Sequence, residues 1–102
     1  MAKDLFVSAL LDVYGSFLNE KQRMIAECYY YDDLSLGEIA ENEGMSRQGA
    51  RDYITRARSR LYELEEKSGY CKKFLRLKEL AQSAENGDDT VNGEIYDIIK
   101  SL

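Results

Sequence analysis

The sequence predicts an all-α chain, a helix-turn-helix bundle with one long helix, followed by a C-terminal helical extension. Three observations predict it. Apolar residues recur at helical intervals along most of the chain, the spacing that gives a helix one apolar stripe. Asn19 with Gln22, and Ser35 with Glu38, carry the spacing of a capping box, in which a short polar side chain and a Glu or Gln three residues later satisfy the first free N–H groups of a helix. Gly44 and Ser46 lie between two helical patterns, so one helix stops and the next is capped within a tight turn.

The first helix is predicted from Lys3 to about Leu18, with Phe6, Leu10, Val13 or Tyr14, and Phe17 as its core stripe. Gly15 marks either close helix packing or fraying. The second helix starts after Asn19 and runs to about Tyr31, with Met24, Ile25, Cys28 and Tyr29 facing inward. The run Tyr29, Tyr30, Tyr31 could stack nucleic-acid bases, but such tyrosines more often bury the ring and leave the hydroxyl wet. Asp32 and Asp33 resemble paired catalytic carboxylates only superficially. Their loop position, and a chain without His, make them a helix stop and start.

The third helix is short, bounded by Ser35 and Gly44. The fourth is long, from Ser46 to about Glu66, and carries five arginines. At about 100° per residue, Ala50, Tyr53, Ile54, Ala57, Leu61 and Leu64 share one arc. Arg47, Gln48, Arg51, Asp52, Thr55 and Arg58 fall opposite, with Arg56 and Arg60 on the flanks. When such a pair of helices meets DNA, the second enters the major groove. Arg pairs with guanine edges or phosphates and Gln with adenine. The candidate nucleic-acid-binding set is therefore Arg47, Gln48, Arg51, Asp52, Thr55, Arg56 and Arg58, the first three reaching deepest and Thr55, Arg56 and Arg58 holding phosphates. The competing reading is a solvated face on an ordinary helical hairpin. Asp52 among the arginines and Glu43 just before the turn, where an apolar residue would help packing, both favour it.

These residues follow the pattern LS-x-x-EIAE-x-x-G-(apolar)-S, then R-A-R-x-RL, and so resemble region 4 of bacterial sigma factors. The upstream stretch LLDVYGSFLNEKQRMIAECYYYDDLSLGEIAE, with SRQGARDYITRARSRL, is similar to the YlxM family of small bacterial helix-turn-helix proteins, from about Leu10 to Glu66. The resemblance implies a regulatory or accessory role in the signal recognition particle pathway. The sequence departs from the pattern at Gly49, where Ala is expected. A Gly there costs about 1 kcal/mol of helix stability relative to Ala.

Beyond Ser68 and Gly69, Tyr70, Phe74, Leu77 and Ala81 predict a fifth helix over 70–83. Lys72, Lys73, Arg76 and Lys78 make it basic, which reads as solvated lysines first and an RNA-phosphate patch second. The stretch SAENGDDT, 83–90, reads as a loop, and Val91, Ile95, Ile98, Ile99 and Leu102 predict a last helix over 91–101. Helices this short are marginal alone. Residues 68–102 are thus expected to pack on domain 1–67 or on a second copy in a homodimer.

Composition bounds the function. Net charge is −5. Residues 1–46 carry three basic and nine acidic groups (−6), residues 47–60 five Arg and one Asp (+4), and residues 61–102 six basic and nine acidic groups (−3). An acidic chain with one basic helix predicts weak, strongly salt-dependent binding to DNA, and equally suits docking on a protein with complementary patches. Cys28 and Cys71 lack CxxC spacing, and no His is available to complete a metal site, so Cys28 reads as a small core residue. No cofactor is expected. No run long enough to span a membrane and no signal peptide is present, which points to the cytoplasm. Without a nucleophile–base pair or phosphate-binding Gly loop, the expectation is a non-enzymatic regulator that binds DNA, or RNA. The alternatives are an adaptor docking on the particle's GTPase or RNA, and a sigma-fragment or anti-sigma-like module contacting RNA polymerase.

Overall fold

A computed structural model describes residues 3–102. Six α-helices are present among them: α1 (Leu5–Tyr14), α2 (Glu20–Tyr30), α3 (Leu36–Glu43), α4 (Arg47–Ser68), α5 (Tyr70–Glu85) and α6 (Asn92–Ser101). Single 3-10 turns occur at Gly15–Phe17 and Asp89–Val91. No strand occurs among the described residues. The chain forms two compact units, one ending at Lys67 and the other spanning Ser68–Leu102.

In the first unit, capping chemistry sets most helix boundaries. Asp4 Oδ1 accepts a bond from the Phe6 N–H at 3.0 Å, so α1 starts at Leu5 rather than Lys3. Lys3 instead donates its ammonium to the Tyr29 and Leu34 carbonyls at 2.7 and 3.2 Å and pairs with Asp33 at 2.9 Å. At the other end α1 stops at Tyr14, four residues before the expected Leu18. Gly15 opens a 3-10 turn, and Leu18 and Asn19 are extended, which swings the chain into α2. Gly15 is buried, and a Cβ there would lie 3.4 Å from Arg23 Nε, at the edge of ordinary van der Waals contact. The early stop changes the buried stripe. Val7, Leu10, Leu11, Tyr14 and Leu18 are buried, while Phe17, expected in the core, is 64% exposed.

Asn19 Oδ1 accepts from the Gln22 N–H at 2.8 Å and starts α2. Its inner face is Ile25, Ala26 and Tyr29, with Cys28 half-buried beside them. Met24 is exposed, contrary to expectation, and Ala26 is buried on the inner face instead. α3 has the complete predicted box: Ser35 Oγ accepts from the Glu38 N–H and Glu38 Oε1 from the Ser35 N–H, both at 3.1 Å. It ends in a Schellman motif. Gly44 is left-handed (φ 64°), its N–H points to the Glu41 carbonyl, and the Met45 N–H donates to the Ala40 carbonyl at 2.9 Å. Met45 thereby packs against the cluster of Ile25, Tyr29, Ile39, Ala40, Ala50 and Ile54, the apolar contact that Glu43 cannot supply.

Ser46 Oγ accepts from the Gly49 N–H at 2.9 Å and caps α4. Ala50, Ile54, Ala57 and Leu61 are buried on one face of this 22-residue rod, as the arc predicts. Glu65 continues that stripe and is also buried, 7% exposed. The Tyr14 hydroxyl donates to its Oε1 at 2.6 Å, joining α1 to α4. Tyr62 makes a second link, donating to Asp4 Oδ2 at 2.6 Å, with its ring 6.0 Å from that of Phe6.

In the second unit, α5 runs two residues further than expected, to Glu85, and turns through Asn86 and Gly87 (φ 94°). Cys71 and Leu80 are its buried residues. Tyr70, Phe74 and Ala81, three of the four expected stripe residues, are exposed. Arg76 grips Glu94 of α6 with two parallel bonds at 2.9 and 3.0 Å and also reaches Glu79 at 3.0 Å. Lys73 donates to the Ser101 carbonyl at 3.2 Å. Two cations of the expected basic patch are thus engaged within this unit.

Candidate nucleic-acid interface

The fourth helix follows the third through the Gly44–Met45–Ser46 turn. Arg47, Gln48, Arg51, Asp52, Thr55, Arg56 and Arg58 are all exposed. They form two facets. Gln48, Asp52 and Arg56, at four-residue steps, lie along the outer side. Gln48 Nε2 donates to Asp52 Oδ1 at 2.9 Å, so the one carboxylate in the row is occupied by an amide rather than by a guanidinium. Arg56 Nε donates to the Asp52 carbonyl at 3.3 Å, and its guanidinium lies 5.2 Å from the Tyr53 ring centre.

Arg51, Thr55 and Arg58 follow the i, i+4, i+7 rule and face the corner between α2 and α3. With Lys3, Tyr30 and Leu36 they line a cavity of about 220 Å³. Burial pushes the Tyr30 phenol above its ordinary pKa, and the Arg58 guanidinium beside it pulls the other way. Arg47 lies beside the first turn of α3: a Cβ on Gly37 would stand 3.9 Å from Arg47 Nε, an ordinary van der Waals contact. Among the described residues no ion pair joins Arg47, Arg51 or Arg58 to a carboxylate, whereas Arg60 is paired with Glu63 at 3.3 Å.

Gly49 has a local reason. A Cβ there would sit 3.2 Å from Ser46 Oγ, the oxygen that caps the helix, so the usual Ala would crowd the cap. Six of the nine cavity residues, Lys3, Asp4, Tyr29, Tyr30, Leu36 and Ile54, were outside the candidate set. Tyr30 belongs to the tyrosine run that the sequence brings to notice, but nothing near Lys3 in the sequence points to it. Among the described residues no cluster of His, Cys, Asp and Glu is placed to hold a metal. None of their helices is long and apolar enough to cross a membrane.

Comparison with known proteins bears on this geometry. The family described as UPF0122, "Putative helix-turn-helix protein, YlxM / p13 like", matches residues 1–101. The chain belongs to the UPF0122 family. A UPF0122 protein of Halalkalibacterium halodurans is 40% identical over 102 residues, covering 98% of this chain and 94% of the relative. A UPF0122 protein of Thermoanaerobacter sp. (strain X514) is 39% identical over 103 residues, covering 96% and 88%. One of Bacillus cereus (strain AH187) is 38% identical over 109 residues, covering 100% and 96%. The UPF0122 match and the α3–turn–α4 geometry agree on an all-α helix-turn-helix protein, and the likeness extends through α5 and α6 as well as the helix-turn-helix.

Proposed function

We propose that this UPF0122 protein is a non-enzymatic cytoplasmic regulator that binds nucleic acid through α4. Arg47, Gln48 and Arg51 read base edges, and Thr55, Arg56 and Arg58 hold strand phosphates. The observation that carries this reading is the state of the leading arginines. Arg47 and Arg51 stand exposed in the first two turns of the helix with no carboxylate partner among the described residues. A guanidinium left open in this way is available for a phosphate or a guanine edge. Asp52 is the least favourable member of the set, and its bond to Gln48 fixes the amide rather than contacting the ligand. In keeping with the YlxM resemblance, the regulated process is the signal recognition particle pathway.

The test is fluorescence anisotropy with random duplex DNA and with signal recognition RNA at two salt concentrations. Arg47→Ala combined with Arg51→Ala is expected to weaken binding to the true ligand at least tenfold. Arg56→Ala combined with Arg58→Ala, at the phosphate positions, should flatten the salt dependence by about two units of slope, close to one per lost phosphate contact. Unchanged binding by the Arg47 and Arg51 double variant removes the arginine facet from the mechanism.

A second reading is favoured by the charge of residues 1–46, three basic and nine acidic groups. Such a surface repels a polyanion outside the α4 strip and suits a protein partner. On this reading the protein is an adaptor for the particle's GTPase, and a pull-down that survives nuclease treatment would favour it.

A further inference from the structure

The cavity beside α4 supports a more specific statement than the exposed facet does. We infer that the space between α4 and the α2–α3 corner is a site for a phosphoryl anion, clamped by Arg51 and Arg58 with the Thr55 hydroxyl between them. The inference does not require the nucleic-acid reading, because a free phosphorylated compound presents the same group.

The first ground is charge left without a partner. Arg51 and Thr55 make no hydrogen bond or ion pair among the described residues, and Arg58 meets the Tyr30 phenol rather than a carboxylate. The other charged groups of the lining are already engaged. Lys3 is held by two carbonyls and by Asp33. Asp4 caps α1 and accepts from Tyr62. Counting Lys3, Arg51 and Arg58 against Asp4 and Asp33 gives +3 − 2 = +1 at the site, within a chain of net charge −5.

The second ground is shape. Positions 51, 55 and 58 stack along one side of the helix, and residues 51 and 58 are about 10 Å apart along the axis at about 1.5 Å per residue. Two long guanidinium side chains at that separation converge on a group placed level with Thr55. Planar N–H forks match phosphate oxygens in pairs, and a hydroxyl supplies one more donor. Ile54 and Leu36 form apolar wall, which excludes water from one side and strengthens the pairing. A cavity of about 220 Å³ leaves room for the group and part of whatever carries it.

The test is isothermal titration with pyrophosphate at fixed ionic strength. Saturable binding near one equivalent is expected. Arg51→Gln and Arg58→Gln should each weaken it at least tenfold, and Thr55→Val severalfold. Arg60→Gln, on the same helix but outside the cavity, should leave it within twofold. Thermal melts of each variant separate lost binding from lost folding, and Arg51, with no partner to lose, keeps the test valid if Arg58→Gln is unstable. No saturation, or an equal loss in Arg60→Gln, would overturn the site. Adding duplex DNA distinguishes the sources: displacement of pyrophosphate assigns the site to a strand phosphate and moves Arg51 from a base edge to the backbone, and simultaneous binding assigns it to a free phosphorylated ligand. Duplex binding that fails while pyrophosphate still binds counts against the nucleic-acid proposal alone.

Discussion

Replacing Tyr14 by Phe removes one oxygen and tests whether the α1–α4 link stabilises the first unit. The Tyr14 hydroxyl donates to Glu65 Oε1 at 2.6 Å, both residues are buried, and 51 positions of chain separate them. A hydrogen bond to a charged group contributes about 1.5–3 kcal/mol, and where burial is deep, water is poorly placed to replace the lost donor. Tyr14→Phe keeps the ring in place, so the packing contribution is unchanged and the loss is expected near 2 kcal/mol. For a domain of this size that is a fall in Tm of about 10 °C, at roughly 4–8 °C per kcal/mol. Urea and thermal melts followed by circular dichroism measure it. A double-mutant cycle with Glu65→Gln should give a coupling above about 1 kcal/mol. A loss below about 0.5 kcal/mol, or zero coupling, would refute the argument that this bond contributes to stability.

Four further outcomes are expected. Ser35→Ala should cost about 1 kcal/mol by removing the N-cap of α3, read from denaturant melts. In the same box, hydrogen bonds from the Ser35 N–H and hydroxyl hold the Glu38 carboxyl below its ordinary pKa. The stability it gives is therefore present above the unfolded value, about 4.3, and lost as pH falls through the lower folded one. The gap between wild type and Glu38→Gln should close in acid, and a gap that widens there would contradict the assignment. Gly44→Ala should cost about 1–2 kcal/mol through its left-handed backbone, because nothing lies within 4 Å of the added Cβ. Ile39→Ala, in the cluster that seats α4 on α3, should cost about 2–5 kcal/mol in a chemical melt.

The features legible in the sequence were those decided within a few residues. The Ser35–Glu38 box, the Gly44 reversal and the Ser46 cap each join atoms at most five positions apart, and each stands where the pattern puts it. The apolar arc of α4 was equally plain, since a rod of 22 residues averages out local ambiguity. What escaped depends on distant partners. The burial of Glu65 involves Tyr14, 51 positions away. Glu65 lies four positions after Leu61 on the buried stripe and was not among the expected core residues. In α5 the expected stripe was Tyr70, Phe74, Leu77 and Ala81, whereas Cys71 and Leu80 are the residues that the structure buries. The candidate site was half visible for the same reason: its arginines share one helix, but Lys3 reaches the cavity from 26 positions before Tyr29.

The cationic strip of α4, set in a chain of net charge −5, has a kinetic consequence. Beyond a Debye length, about 8 Å in physiological salt, an approaching polyanion meets the repulsive far field of the whole molecule and not the guanidinium groups. Productive collisions must arrive already oriented, without the long-range steering that accelerates basic proteins toward nucleic acids. Association should then fall near the unassisted range of roughly 10⁵–10⁶ M⁻¹s⁻¹, and discrimination among partners would rest on how long each complex survives.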